Sequence, residues 1–143
     1  MRAPFQLTML CVPHLIATRG NIVNVSSIAG SRSLAGMHVY GMSKSAMDQM
    51  TSCTALELAS KGVRVNGVNP GVIAIGNLTR SAGMSDEEYA KFVEYHKTTH
   101  PLGRAGDAEE VAQAIAFLAS SSASFITGEH LHVDGGWHAA VPQ

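Results

Sequence analysis

The stretch NIVNVSSIAGSRSLAGMHVYGMSKSAMDQMTSCTALELASKGVRVNGV, residues 21–68, decides the fold. It opens on the short β-branched run Asn21–Val25, preceded by Gly20 and followed by a Ser-rich, Gly-containing turn at residues 26–33, which is the pattern of a buried strand leaving into a loop. Residues 39–60 follow, with Met42, Ala46, Met50, Cys53 and Leu56 spaced by three and four. That spacing predicts a long amphipathic helix that ends before Gly62. Residues 63–68, VRVNGV, form a second β-branched run, and the proline and glycine of Asn69-Pro70-Gly71 are expected to stop its ladder. Two strands separated by a helix of this length cannot pair as a hairpin, so they call for a crossover onto a parallel sheet.

The same alternation continues on both sides. Residues 5–17 predict a helix, with Pro4 suited to its first turn and Pro13 kinking or shortening its interior. Ser85 with Glu88, and Asp107 with Glu110, have the form of capping boxes and predict helices over residues 86–98 and 108–119. His130–Val133 is a last short strand, broken by Asp134-Gly135-Gly136. The expected fold is α/β: about three strands with flanking helices in a parallel layer, few for a doubly wound parallel sheet, which has about six strands.

Composition narrows the function. Of the 143 residues, 45% are hydrophobic and 15% charged, enough to bury a core in one compact unit. Ten Lys plus Arg against eleven Asp plus Glu give a formal charge of -1, with no basic run to neutralise phosphates, so nucleic acid is not the expected partner. No apolar stretch has the length of a membrane span, and residues 1–18 lack the pattern of a cleaved signal, so a soluble protein away from membranes is expected. Cys11 and Cys53 lack CxxC spacing and are expected to be small buried side chains. Such usage fits a reducing compartment, the cytoplasm, and is compatible with a mitochondrial matrix. His130 and His132 share a strand face without a third ligand, so no metal site is expected. Met42, Met47 and Met50 are expected to fill the core or a subunit interface.

The residues that could carry chemistry gather at strand ends. Tyr40 and Lys44 stand four residues apart near a helix start, one turn apart on one face. A neighbouring cation favours a phenolate, and a tyrosine so placed can exchange a proton with a carbonyl or alcohol oxygen. Taken alone, the spacing equally describes an ordinary amphipathic helix with a half-buried Tyr and a solvated Lys. Ser27, thirteen positions earlier at the mouth of the first strand, could hold a substrate oxygen, or could be a plain turn residue beside Ser26. Asn69-Pro70-Gly71-Val72-Ile73 leaves the second strand at its carboxyl end, where open α/β sheets bind ligands.

The order NVSSIAG, Tyr-x-x-x-Lys, VRVNGVNPGVI and PLGRAGDAEEVAQAIAFLASSSASFITGEHLHVDGG resembles the short-chain dehydrogenase/reductase family, in particular proteins similar to β-ketoacyl carrier-protein reductases. The resemblance runs from Pro4 to Trp137. It implies an oxidoreductase moving a hydride between NAD or NADP and a carbonyl or secondary alcohol. By position, Tyr40 matches the family's acid/base, Lys44 the lysine that holds the nicotinamide ribose and favours the tyrosinate, and Ser27 the serine on the substrate oxygen. Pro70, Gly71 and Ile73, with Tyr40 and Lys44, match the cofactor-binding positions, and residues 77–100 fall in the substrate-binding segment. Residues 4–17 and 40–60 resemble the family's dimer-forming helices, which implies a homo-oligomer.

Two departures accompany the match. Ile75 stands where the family has a threonine that holds the nicotinamide carboxamide. No glycine-rich phosphate loop occurs in the sequence, and the family's catalytic asparagine has no counterpart, since the first asparagines are Asn21 and Asn24 on the strand. Residues 1–143 therefore read as one incomplete Rossmann-like domain resembling the C-terminal half only, with little turnover expected from them alone. A second reading is a catalytically inactive form that partners full-length subunits; a third is an unstable fragment.

Overall fold

The computed structural model describes residues 1–74 and 83–140. In chain order the elements are α1 (Arg2–Thr18), β1 (Asn21–Val25), α2 (His38–Ala59), β2 (Arg64–Pro70), α3 (Asp86–Thr99), α4 (Ala108–Ala119) and β3 (His130–Val133), with one-turn 3-10 helices at Ile28–Gly30, Ser121–Ala123 and Trp137–Ala139. The three strands form one parallel sheet in the order β1-β2-β3. Ile22 pairs with Val65 and Val25 with Val68, and Val68 pairs in turn with Leu131. Each strand returns to the sheet through helix, which is how a parallel ladder has to be connected.

Strand alternation sends the two faces to different partners. Val23, Val68, Leu131 and Val133 pack with Val111, Ala114, Ile115 and Leu118 of α4, whose capping Glu110 accepts from the Asp107 N–H at 2.8 Å. The opposite face meets α1 and α2: Ile22 and Val65 pack with Val12, Leu15, Ala55 and Leu58. Leu118 is 1% exposed at the centre of the α4 layer. Leu118→Ala is expected to lower the unfolding free energy by about 2–5 kcal/mol, read as a fall in the urea midpoint at unchanged slope.

Three local expectations are corrected. The stripe Met42, Ala46, Met50, Cys53 and Leu56 does not face the core: Met42 is 64% and Leu56 81% exposed, and Cys53 is exposed too, with Cys11 half-buried. The sheet-facing positions of α2 are instead Lys44, Asp48, Thr51, Ser52, Ala55 and Leu58. The cause lies in the sheet, which presents polar side chains to this helix. Asn24 donates to Thr51 Oγ1 at 2.8 Å, Asn69 to Asp48 Oδ2 at 3.0 Å, and His130 Nε2 lies 2.9 Å from Ser52 Oγ. Buried amides need polar partners, so the helix face they meet is polar where hydrophobic spacing alone predicts an outside face.

Second, β2 runs through Pro70, which pairs with Val133. The N–H groups of Gly67 and Gly71 donate towards β3, so alternation aims the missing Pro70 donor at the β1 side, where the ladder has already ended at Val25. Third, α1 is not shortened at Pro13, which sits inside a helix of 17 residues.

Candidate active site

Every reactive group sits at the carboxyl end of β1 or β2 or on the helix between them. Where β1 ends, Ser26 is held by its N–H on the Val68 carbonyl at 2.9 Å and by its Oγ on the Lys44 carbonyl at 3.3 Å. Those bonds fix where Ser27 emerges. Ser27 is buried; its Oγ accepts from the Ala29 N–H at 3.2 Å, and its carbonyl accepts from Gly30 at 2.9 Å. With Oγ engaged as an acceptor, the hydroxyl hydrogen is left to donate, with no acceptor for it among the described residues.

The start of α2 carries the other two groups. Tyr40 is 41% exposed, and Lys44 Nζ lies 5.6 Å from the centre of its ring. Lys44 Nζ also donates to the Val25 carbonyl at 3.1 Å, which ties the ammonium to the end of β1 and, among the described residues, leaves two of its three donors without a hydrogen-bond partner. Close approach of α2 to the turn after β1 rests on Gly30, where a Cβ would meet the Lys44 backbone carbon at 3.2 Å and the Asp48 carboxylate far closer.

Beyond β2, the backbone of residues 70–74 is clamped from three directions. The Gly71 N–H donates to Val133 at 3.0 Å, the Val72 N–H to His100 Nε2 at 3.1 Å, and the Ala74 N–H to Gly106 at 2.8 Å, while Ile73 bridges Gly106. Gly71 has no room for a side chain, since a Cβ would come within 2.7 Å of His100 Nε2 and 3.0 Å of Asp134 Cα.

A cleft of about 580 Å³ brings Ser27, Tyr40 and Lys44 together with Pro70, Gly71 and Ile73. Phe92 and His96 of α3 and Trp137 also line it. Burial first, and the neighbouring His100 second, pull the His96 imidazole below its ordinary value. Trp137 is carried by the turn after β3, where Gly135 and Gly136 take φ of 59° and 87°. Burial pushes the Asp134 carboxyl up, but hydrogen bonds from the His138 side chain and from the His138 and Gly136 N–H groups together hold it below its ordinary value. An ionised Asp134 thus caps that turn.

All the sequence-predicted site residues among the described positions therefore line one cleft. Of the expected substrate segment 77–100, residues 83–100 contribute Phe92 and His96 to its wall; residues 77–82, and Ile75, lie outside the described residues. Sequence reasoning missed Phe92, His96, His100 and Trp137. The capping box at Ser85 placed a helix over residues 86–98 without naming an inward face, and nothing in the spacing of the histidines named their partners. Among the described residues no cluster of three His, Cys, Asp or Glu side chains could hold a metal ion, and no helix is long and apolar enough to cross a membrane.

Residues 1–138 match the family model described as enoyl-(acyl carrier protein) reductase. A 3-oxoacyl-[acyl-carrier-protein] reductase FabG of Thermotoga maritima is 40% identical over 137 residues, covering 95% of this chain and 53% of that protein. A solved short-chain dehydrogenase/reductase of unknown function from Caenorhabditis elegans, with cofactor, superposes with a TM-score of 0.91 at 37% identity, over 99% of this chain and 54% of that one. The structure of ElxO with NADP bound gives a TM-score of 0.81 at 32% identity, over 93% and 52% of the two chains. The chain thus spans about half the length of the relatives it matches.

Proposed function

Because the chain belongs to the short-chain dehydrogenase/reductase family, we propose that it supplies the reaction site of an NAD(P)-dependent oxidoreductase acting on a carbonyl or secondary alcohol. The observation that carries this reading is the single cleft lined by Ser27, Tyr40 and Lys44 at the carboxyl ends of β1 and β2. Its donor set fits the nicotinamide end of a dinucleotide: Lys44 has free N–H donors for ribose hydroxyls, and the clamped backbone of residues 70–73 offers a fixed surface for a flat ring. A bound nicotinamide supplies or accepts the hydride. Tyr40 gives a proton from Oη to the carbonyl oxygen in reduction and takes it back from the alcohol in oxidation. Ser27 donates its hydroxyl hydrogen to the same oxygen and so orients it, and Lys44 keeps positive charge beside the phenol while charge develops there.

The 143 residues contain no glycine-rich loop to cradle a pyrophosphate, and dinucleotide affinity draws heavily on that contact. Residues 1–143 by themselves are therefore expected to bind neither NADH nor NADPH with micromolar affinity in titration calorimetry. Joined to a phosphate-binding half taken from a relative, the same residues are expected to oxidise NADH or NADPH in a ketone-dependent manner. A joined protein that binds the dinucleotide but turns over no member of a ketone and alcohol panel would overturn the assignment.

A second reading, association with another copy, is favoured by the outer faces of α1 and α2. No residue of α1 is buried, and Phe5, Leu7, Met9 and Leu10 are exposed there, as are Met42 and Leu56 on α2. The partner we infer is a second copy of this chain, meeting the first across a two-fold axis.

A further inference from the structure

We propose that His100 is a positioning residue, a neutral imidazole protonated on Nδ1 that fixes the Gly71–Val72 backbone at the floor of the cleft. It ends α3 and is 3% exposed. Two neighbours determine its tautomer. The Val72 backbone N–H, which can only donate, lies 3.1 Å from Nε2, so that nitrogen carries the lone pair. The His96 carbonyl, which can only accept, lies 2.7 Å from Nδ1, so the hydrogen is there. Thr99 Oγ1 stands 3.0 Å from the same nitrogen, and Trp137 packs on the ring with centroids 4.9 Å apart.

Among the described residues the Val72 amide has no backbone partner of the kind its neighbours use. Gly71 donates to β3 and Ala74 to Gly106, whereas Val72 falls between the two ladders with its N–H turned to the imidazole. Replacing that acceptor would leave a part-buried backbone donor without its partner, which costs stability wherever water cannot take the acceptor's place. Gly71 completes the arrangement, because any side chain there would occupy the place of Nε2.

His100 therefore links two walls of one site. On one side is α3, which brings Phe92 and His96 to the cleft; on the other is the Gly71–Val72 floor, against which a nicotinamide would rest. That last role depends on the oxidoreductase reading above. Through this bond a shift of α3 is felt at the floor, and the imidazole needs no contact with substrate to influence the reaction geometry.

The test uses the chain itself and needs no turnover. Nitrogen NMR of the imidazole is expected to show the Nδ1–H form with Nε2 unprotonated, and the Val72 amide is expected to be protected from hydrogen exchange. His100→Gln keeps an acceptor at the reach of Nε2 and should hold Val72 exchange within about threefold of the parent. His100→Asn reproduces only the Nδ1 contact and should speed that exchange about tenfold or more, relative to core amides of β2 in the same sample. An Nε2–H tautomer in the parent chain, or parental Val72 protection in His100→Asn, would overturn the proposal. Absence of oxidoreductase activity would count against the functional reading and leave the tautomer measurement untouched.

Discussion

Tyr40→Phe is expected to cut ketone reduction by roughly a hundredfold to ten-thousandfold in a protein that carries both halves of the fold. The substitution keeps the ring, which flanks Lys44 at 5.6 Å, and removes the one hydroxyl that can hand a proton to the substrate oxygen. Packing changes little, because Tyr40 is partly exposed at the helix start and makes no side-chain hydrogen bond among the described residues. Ser27 can orient the oxygen but has no reason to give up its proton near neutrality, and the remaining Lys44 donors are those assigned to the ribose hydroxyls. Turnover should therefore fall far more than dinucleotide affinity, since Lys44 and the backbone of residues 70–73 still hold the cofactor, and the loss is read chiefly as that of an interaction made in the transition state. A Tyr40→Phe protein that binds cofactor and reduces ketones at near the parental rate would remove this tyrosine from the mechanism.

Much of this site could be read before the fold was seen, for a physical reason. Asn21–Val25 is a short β-branched run bounded by a glycine and turn residues, His130–Val133 alternates histidine with an aliphatic side chain and is broken by Asp134-Gly135-Gly136, and α3 and α4 open on capping boxes whose partners are three residues apart. Local chemistry of that kind is written in adjacent letters. The sheet then does the rest, since β1 and β2 end at one edge and deliver Ser27 and Pro70 there, beside the start of α2 that carries Tyr40.

What could not be read depends on partners far away in sequence. The inner face of α2 is polar because Asn24, Asn69 and His130 of three different strands need hydrogen bonds from it, so an apolar period points the wrong way. His100 has its role from Val72, 28 residues earlier, and no spacing rule pairs an imidazole with a backbone amide. Pro70 looks like a stop until the strand order shows that its missing donor faces the side where β1 has already ended.

The exposed side of α2 leads to the second large effect. Met42, Cys53 and Leu56 do not face the sheet, and α1 exposes Phe5, Leu7, Met9 and Leu10. Contiguous exposed apolar side chains of this kind mark interaction surfaces, and we infer that a partner covers those of α1 and α2. If that partner is a second copy across a two-fold axis, each residue of the patch is buried twice. Burying one leucine is worth about 1.5–3 kcal/mol, so a charge at one position should cost the pair about twice that, more than a hundredfold in the dimer dissociation constant. The folded monomer should hardly notice, because an exposed site away from the core changes stability by only about 0.5 kcal/mol. The parent chain is thus expected to sediment as a dimer or larger at low micromolar concentration. Leu10→Lys and Leu56→Lys should each shift it towards monomer with helix content and urea midpoint unchanged. A parent chain that sediments as a folded, monodisperse monomer would sink the two-fold contact, and the apolar faces of α1 and α2 would then have to meet a different molecule.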